Sequence, residues 1–398
     1  MTMAARTKLW KGSKKSSISP ESGYAVGSQT MQRRNFLSTT LASAAASALA
    51  RRAAAQSGAA PPVRIGVDVY SLQSQNWTPF QSLDFCSKLG VKVVHFSEIR
   101  FLGNLEPDNL TKVRDYAKNL NMDLEIGMKS ICPTSTMFDA SQGTAEEQLG
   151  RMIKAATIIG SPIVRCVLGS AAERSGKIPL EGHIENTTKV LKNIRSQATA
   201  ANVKIAIENH AGDMQARELK MLIEGAGRDF VGVCIDSGNP MWTLENPHLT
   251  LETLHPYVLT SHVRDTHVWM TPAGVAVRWC RTGEGNIDID GYIRKFIELC
   301  PGRALSAEII VMPNPRMFAI HDAKFWEPYK TTPAWEYQRF LDLAEKGVPP
   351  AGAEAPAAGR GGGRSRGPVS PEVQAQRLAT QREDLEVSIQ YTKKLLAL

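Results

Sequence analysis

Short apolar runs alternate with amphipathic segments from residue 63 onward. Each run is rich in Val, Ile and Leu and predicts a strand buried on both faces, which is typical of parallel sheets. Helical spacing follows each run, with boundary residues such as the capping box of Thr144 and Glu147 and the helix-ending Gly160. The predicted strands are, in order, RIGVDVYSL (64–72), VKVVHFSEI (91–99), LEIGMKS (124–130), PIVRCVLGS (162–170), VKIAIEN (203–209), VGVCIDS (231–237), YVLTSHV (257–263) and RALSAEI (303–309).

Eight successive strand–helix units favour a closed barrel over an open doubly wound sheet. No GxGxxG motif follows the first strand, and polar residues stand at the ends of several different strands, where barrel enzymes carry their catalytic groups. We therefore predict an α/β fold, a single (β/α)8 TIM barrel over residues 63–347. The segment 331–347 is its expected last helix.

Two further segments follow the predicted barrel. Residues 348–369 are rich in Pro, Gly, Ala and Arg, cannot bury a core and predict a disordered linker. Residues 370–398 return to helical spacing, with Ser370 as cap and Pro371 in the first turn. We expect this C-terminal helix to dock on the barrel or on a neighbouring subunit of a homo-oligomer.

The formal net charge of +8 is concentrated at the N-terminus. Residues 1–55 carry nine Lys and Arg against the single acid Glu21, so the rest of the chain is neutral. A neutral catalytic region lacks the clustered cations that bind a phosphate backbone, and we predict no nucleic-acid partner.

The basic segment has the features of a twin-arginine signal peptide. Arg33 and Arg34 precede a weakly apolar stretch and the small residues 53–55, in the order that export requires. A chance Arg pair before an Ala-rich helix is the alternative. The apolar stretch is too short for a stable membrane span. We expect export by the twin-arginine machinery and a periplasmic or secreted protein.

The six cysteines share no CxxC spacing. Most of them lie inside predicted strands or helices, so we interpret them as small buried residues and not as a disulfide framework or a thiolate metal site. A bridge between one pair in an oxidising compartment is the alternative.

Four residues at strand ends carry the candidate chemistry. Glu208 in IAIENH, Asp236 in VCIDSGN, His262 in LTSHVRD and Glu308 in LSAEII stand at the carboxyl ends of the last four predicted strands. Parallel barrel strands would bring these four ends together. Three carboxylates and one imidazole favour Mn²⁺, Mg²⁺ or Co²⁺, and Zn²⁺ is an alternative.

With these motifs the chain resembles the xylose isomerase-like TIM barrel family of sugar isomerases, epimerases and apurinic endonucleases. Over residues 63–320, the four strand-end residues match the family's metal ligands in order, and the loop 283–288 matches its GxG-then-Asp segment. The endonuclease branch requires a His three residues after the strand-six Asp. Asn239 stands there, which disfavours DNA repair.

The resemblance implies chemistry at a carbonyl. Glu208 and Glu308 would transfer a proton through an enediolate as well as bind the metal, most readily Mn²⁺, while Asp236 and His262 would only be ligands. We expect a non-phosphorylated sugar as substrate, because no basic phosphate cradle is evident. A lyase or hydrolase of keto-glycosides on the same scaffold and a non-catalytic sugar-binding protein are the alternatives.

Further residues are candidates for orienting the sugar. His210 and Arg264 lie two residues after a predicted ligand, on the same face of an extended strand. His95 and Glu98 come from the second strand. Trp242, Trp269 and Trp279 are expected in loops after strands six and seven, where they would pack on a sugar ring or on a lid. The candidate sugar contacts are thus His210, Arg264, Glu98, His95 and Trp269.

Overall fold

The computed structural model describes residues 62–353 and 370–398. Eight parallel strands form the barrel, in the order β10-β1-β2-β3-β4-β5-β6-β7. A three-stranded antiparallel sheet of β8, β9 and β11 stands beside it. The strands are β1 Arg64–Asp68, β2 Val93–Phe96, β3 Asp123–Ser130, β4 Ile163–Val167, β5 Lys204–Glu208, β6 Val231–Asp236, β7 Val258–His262, β8 Asp265–Thr271, β9 Gly274–Cys280, β10 Ala304–Ala307 and β11 Arg316–Phe318.

The α-helices follow the strands along the chain. Capping boxes at Thr78 and Thr144 begin two of them. The helices are α1 Pro79–Lys88, α2 Pro107–Asn119, α3 Ala145–Ile159, α4 Ala171–Arg174, α5 Leu180–Ala200, α6 Ala216–Ala226, α7 Pro247–Leu254, α8 Ile289–Leu299, α9 Ala334–Lys346 and α10 Pro371–Leu396. The predicted eight-stranded TIM barrel is confirmed.

The barrel closes between its first and last strands. β10 pairs in parallel with β1, with Val67 opposite Ala307. On the other side of β10, the Val263 N–H donates to the Ser306 carbonyl at 2.7 Å, and the Glu308 N–H donates to the Val263 carbonyl at 3.1 Å. Strand ends from both halves of the chain therefore meet at one mouth.

A β-hairpin follows β7, so the prediction that Trp269 and Trp279 lie in loops is wrong. β8 and β9 pair along seven residues each, from Asp265 opposite Cys280 to Thr271 opposite Gly274. Gly274 has a φ of 126°, which favours glycine at the tight turn. Because Val275, Val277 and Trp279 alternate with other residues after this turn, the hairpin had a sequence signal.

The last barrel helix is not the one expected. The segment 331–347 does contain a helix, α9, but α9 packs against the hairpin strand β8. α10 instead packs against β10 and the turn after β1. It lies beside α1, where Lys393 donates to the Leu89 carbonyl at 2.7 Å, and beside α8, where Tyr391 donates to Asp290 at 2.8 Å.

All six cysteines are buried and free. Burial raises the pKa of Cys86 and Cys234 to about 12, so their thiols are protonated at neutral pH. Across residues 62–353 and 370–398, none of the helices combines the length and apolar character that a membrane crossing needs. The signal-peptide prediction at residues 1–55 and most of the predicted linker, residues 354–369, lie outside the described residues.

Candidate metal and sugar site

The four strand-end residues meet at the carboxyl ends of the barrel strands. Glu208, Asp236 and His262 end β5, β6 and β7, and Glu308 directly follows β10. All four side chains are buried, and one ligand atom from each lies within 4.8 Å of the others. The parallel barrel therefore brings together side chains that are 100 residues apart in the chain.

His262 stands at the centre of this group. Its Nδ1 lies 3.0 Å from Glu208 Oε2 and 3.2 Å from Glu308 Oε2. Although these oxygens are close, Nδ1 is buried without a hydrogen bond of acceptable geometry. The ring nitrogen that faces the carboxylates thus has two charged neighbours but no well-formed hydrogen bond.

The carboxylates are held by backbone amides and guanidinium groups. Asp236 Oδ1 accepts from the N–H groups of Gly238 and Asn239, at 2.6 and 2.8 Å, and its Oδ2 accepts from Arg264 at 2.6 Å. Arg264 Nη2 also contacts Glu308 Oε2. Glu208 accepts from Arg165 Nε at 2.6 Å and from Asn239 Nδ2 at 3.0 Å.

These contacts set the charge states of the acids. Burial alone would raise the pKa of Glu208, but Arg165 and His262 outweigh it and hold that pKa well below its usual range. In the same way burial is outweighed by Arg264 and His262 at Glu308, whose pKa is lowered. For Asp236 burial outweighs Arg264 and raises the pKa to about 7. Both glutamates are therefore ionised at neutral pH.

The residues fit a divalent cation. An orphaned imidazole nitrogen faces the carboxylate oxygens of Glu208 and Glu308, and a third carboxylate, Asp236, completes the group. Hard oxygens with one imidazole suit Mn²⁺ or Mg²⁺, and Zn²⁺ also accepts this set. The predicted ligands therefore form a group that can hold a metal.

A cavity of about 160 Å³ opens above the group. It is lined by charged, polar and aromatic side chains, with Glu308 and Arg264 on the side of the carboxylates. The lining residues are Tyr70, Ser97, Glu98, Lys129, Met137, Arg165, Val167, His210, Asn239, Arg264, Trp279, Glu308 and Ile310.

Three of the five predicted sugar contacts line this cavity. They are Arg264, His210, whose Nδ1 lies 2.7 Å from the Gly169 carbonyl oxygen, and Glu98, which pairs with Arg100 at 2.5 Å. His95 does not line the cavity, because it is fully buried below His262, with its Nδ1 3.0 Å from His262 Nε2. Trp269 is only 3% exposed in β8 and does not line the cavity either.

The tryptophan that lines the cavity is Trp279. Its ring stacks on Trp242 with a centroid distance of 4.7 Å, and the Arg264 guanidinium lies 4.3 Å from the Trp279 centroid. On the opposite side Arg316 of β11 lies 4.5 Å from the Trp242 centroid. Two stacked rings between two guanidinium groups thus join the three-stranded sheet to Arg264, with a cation–π contact at each end.

Three charged residues of the site were not predicted: Asp68, Arg165 and Lys129 of the cavity lining. Asp68 ends β1, just as the four predicted ligands stand at strand ends, and Arg165 lies inside the apolar strand β4. A charged residue within a buried strand is rare unless it is paired, so Arg165 had a detectable signal in the sequence.

Comparison with known proteins gives the family. The sequence profile described as the xylose isomerase-like TIM barrel matches residues 83–329. The uncharacterized protein YihM of Escherichia coli is 23% identical over 267 residues, which are 63% of this chain and 74% of that protein. The 3-oxo-isoapionate decarboxylase of Pectobacterium atrosepticum is 21% identical over 213 residues, which are 52% of this chain and 69% of that protein.

A solved structure shares the fold. The D-psicose 3-epimerase of Clostridium cellulolyticum, solved with D-tagatose, is 13% identical and superposes with a TM-score of 0.51. The match covers 71% of this chain and 98% of that one. Because the family profile spans more than half of the sequence and the barrel is present, this chain belongs to the xylose isomerase-like TIM barrel family.

Proposed function

We propose that this protein is a metal-dependent isomerase or epimerase that moves a proton next to the carbonyl of a non-phosphorylated sugar. The observation that carries the proposal is the convergence of Glu208, Asp236, His262 and Glu308 beside a cavity of about 160 Å³. Each of the two ionised glutamates next to one metal-competent centre can act as a base, and each becomes an acid once it has taken up a proton.

Glu208, Asp236, His262 and Glu308 would hold the metal, with Mn²⁺ as the first candidate and Mg²⁺, Co²⁺ and Zn²⁺ as alternatives. When bound, a divalent cation supplies Lewis acidity that polarises a carbonyl and its neighbouring hydroxyl. Asn239 donates to Glu208 at 3.0 Å and so fixes one carboxylate oxygen.

The two glutamates would exchange the proton. Glu308 lines the cavity directly, while Glu208 lies behind Arg165 and Asn239, which line it. One carboxylate would remove the proton from the carbon next to the carbonyl and, now protonated, return it to the neighbouring carbon in an isomerisation. In an epimerisation the other glutamate would first take a proton from solvent and then deliver it to the opposite face. Arg264 and His210 would orient the sugar oxygens, because both line the cavity.

The comparisons support this class of reaction at the level of the family. The family includes sugar isomerases and epimerases, and a D-psicose 3-epimerase has the same fold.

A second candidate is decarboxylation of a 3-oxo sugar acid. Three cationic side chains, Lys129, Arg165 and Arg264, line the cavity, and a carboxylate on the substrate would pair with them. A 3-oxo-isoapionate decarboxylase is among the relatives. Loss of CO₂ beside a ketone produces an enolate, so the same metal-competent centre would serve. Keto-glycoside cleavage also proceeds through an enolate and is a third candidate.

The test is incubation of the Mn²⁺-loaded or Mg²⁺-loaded protein with ketoses, aldoses, keto-glycosides and 3-oxo sugar acids in deuterated water, followed by NMR. Deuterium incorporation without bond cleavage would support the isomerase or epimerase. Release of CO₂ would establish the decarboxylase instead, and release of an alcohol would establish the lyase. Binding of a sugar without any deuterium exchange or bond cleavage would indicate a non-catalytic sugar-binding protein.

The glutamate pair gives a direct prediction. Glu208→Gln and Glu308→Gln should each lower the exchange rate roughly 10²- to 10⁴-fold, because each removes a general acid or base. Glu125→Gln is the matched control, since Glu125 is a buried barrel carboxylate that does not line the cavity. Unchanged exchange in both Glu208→Gln and Glu308→Gln would contradict the assignment.

We also propose export of the folded, metal-loaded protein by the twin-arginine pathway, on the basis of Arg33 and Arg34 and the residues after them. A periplasmic or secreted location agrees with a substrate that carries no phosphate.

A further inference from the structure

The two nitrogens of the His262 ring have different surroundings. Nδ1 faces Glu208 and Glu308, at 3.0 and 3.2 Å. Nε2 points into the barrel, where Asp68 Oδ2 and His95 Nδ1 both lie 3.0 Å away. All of these side chains are buried, so water cannot adjust their protonation pattern by hydrogen bonding.

Once a metal binds, Nδ1 must offer it a free lone pair, and the one proton that the ring keeps must then be on Nε2. The hydrogen bond between His262 Nε2 and His95 Nδ1 does not decide this by itself, because either imidazole can be the donor. A third group is required to select the direction of the bond.

Asp68 is that group. Its Oδ1 accepts from the Tyr70 N–H at 2.8 Å and from the Ser97 hydroxyl at 2.7 Å, which fixes the carboxylate. Its Oδ2 makes no hydrogen bond of its own. If Nε2 carried a lone pair, it would face the Oδ2 lone pairs at 3.0 Å and be repelled, whereas a proton on Nε2 is attracted to Oδ2.

We propose that Asp68 is a positioning residue that fixes the tautomer of His262, with the proton on Nε2 and the lone pair on Nδ1 directed at the metal position. His95 then accepts the Nε2–H bond. This inference rests on the proposed function only in that His262 binds a metal. Ligand histidines commonly donate their second N–H to such a partner, and loss of the partner typically lowers metal affinity roughly 10- to 100-fold.

The substitution Asp68→Asn tests this arrangement with almost no change of shape. Because the Tyr70 N–H and the Ser97 hydroxyl both require an acceptor, the amide oxygen should take the place of Oδ1. The amide NH₂ then faces His262 Nε2 and donates to it. This favours the opposite tautomer, with a proton on Nδ1 that blocks the metal.

The first measurement is Mn²⁺ affinity by electron paramagnetic resonance, together with metal stoichiometry. We expect Asp68→Asn to weaken Mn²⁺ binding roughly 10- to 100-fold. Glu125→Gln should leave it unchanged, because Glu125 bonds Thr260 at 2.6 Å and comes no nearer than 3.8 Å to His95. Thermal unfolding of the metal-free variants shows whether each one folds.

A second measurement reads the tautomer directly. Long-range ¹H–¹⁵N spectra of the Zn²⁺-loaded wild type should show His262 protonated at Nε2 and bound through Nδ1. A metal bound through Nε2 would overturn the proposal, as would equal Mn²⁺ affinities of wild type and Asp68→Asn. Two metals per wild-type chain, with one lost in Asp68→Asn, would also overturn it, because Asp68, His95 and His262 would then be a metal site themselves. A wild type that binds no metal would instead overturn the proposed function together with this inference.

Discussion

Glu173 joins two loops near the cavity. Its Oε1 accepts from Ser135 and Thr136 in the loop after β3, and its Oε2 accepts from Ser170 after β4. Burial alone would raise the pKa of Glu173, but these hydrogen bonds, above all that from the Thr136 hydroxyl, lower it to about 2. The carboxylate therefore connects the segment that carries Met137 of the cavity to the neighbouring strand.

Glu173→Gln should destabilise the fold by about 2 kcal/mol, because the amide cannot accept from both loops. Since the folded pKa is lowered, the stabilisation is complete above about pH 4.5 and disappears as the pH falls towards about 2. Urea unfolding between pH 5 and 2 should show this acid dependence in wild type and a weaker one in the variant. Glu181→Gln, at an exposed position, is the control, and an identical pH dependence in Glu173→Gln and wild type would refute the prediction.

Trp279 supports Arg264 from the hairpin. Trp279→Leu removes the aromatic face 4.3 Å from the guanidinium and should lower kcat/KM of deuterium exchange roughly 2- to 30-fold, as expected for loss of a cation–π contact. Trp269→Phe is the matched control, because Trp269 is buried in the same hairpin and does not line the cavity. Equal rates for Trp279→Leu and wild type would show that the stack has no role in positioning Arg264.

The proposed ligands could be predicted because each stands at the end of an apolar run, where the barrel topology alone determines its position. The partners of those ligands were harder to predict. Asp68 has the same strand-end position, but its role depends on a contact with His262, 194 residues later, which no local pattern records. His95 was predicted to contact the sugar at the mouth of the barrel, but it lies below His262 inside the barrel. The sequence does not show how far along β2, from the interior to the mouth, a residue stands.

At the scale of elements, α10 takes the place of the eighth barrel helix. Leu385 and Ile389 are fully buried against the barrel, and Arg281 pairs with Asp384 at 2.7 Å. The sequence predicted this helix from its cap and spacing. Which helix packs beside β10 could not be predicted, because the hairpin, which α9 packs against, was missed.

Leu385→Ala and Ile389→Ala should each lower the free energy of unfolding by about 2–5 kcal/mol, because each leaves a cavity in the core. Val387→Ala on the same helix should change it by less than about 0.5 kcal/mol, since Val387 is 41% exposed. Chemical denaturation measures all three. If the buried and exposed variants were equally stable, α10 would not be part of the barrel core.

At the scale of the whole molecule, the basic N-terminal segment predicts export through the twin-arginine machinery. Arg33→Lys together with Arg34→Lys should leave the precursor uncleaved in the cytoplasm, because the twin-arginine machinery reads the Arg pair. Arg51→Lys with Arg52→Lys is the matched control and should be exported normally. Cell fractionation with N-terminal sequencing gives the result. Mature protein in the periplasm after the first pair of substitutions would exclude this pathway.

Closure of the barrel between β1 and β10 also sets the order of events during synthesis. The partner of Arg64–Asp68 is Ala304–Ala307, about 240 residues later. At roughly 5–20 residues per second, the first strand waits roughly 10–50 s on the ribosome with its apolar edge unpaired. Glu308 follows that partner directly. Synthesis of β10 therefore completes the barrel and adds the last of the four candidate metal ligands at the same time. Before residues 304–308 emerge, a nascent chain has neither a closed barrel nor all four ligands.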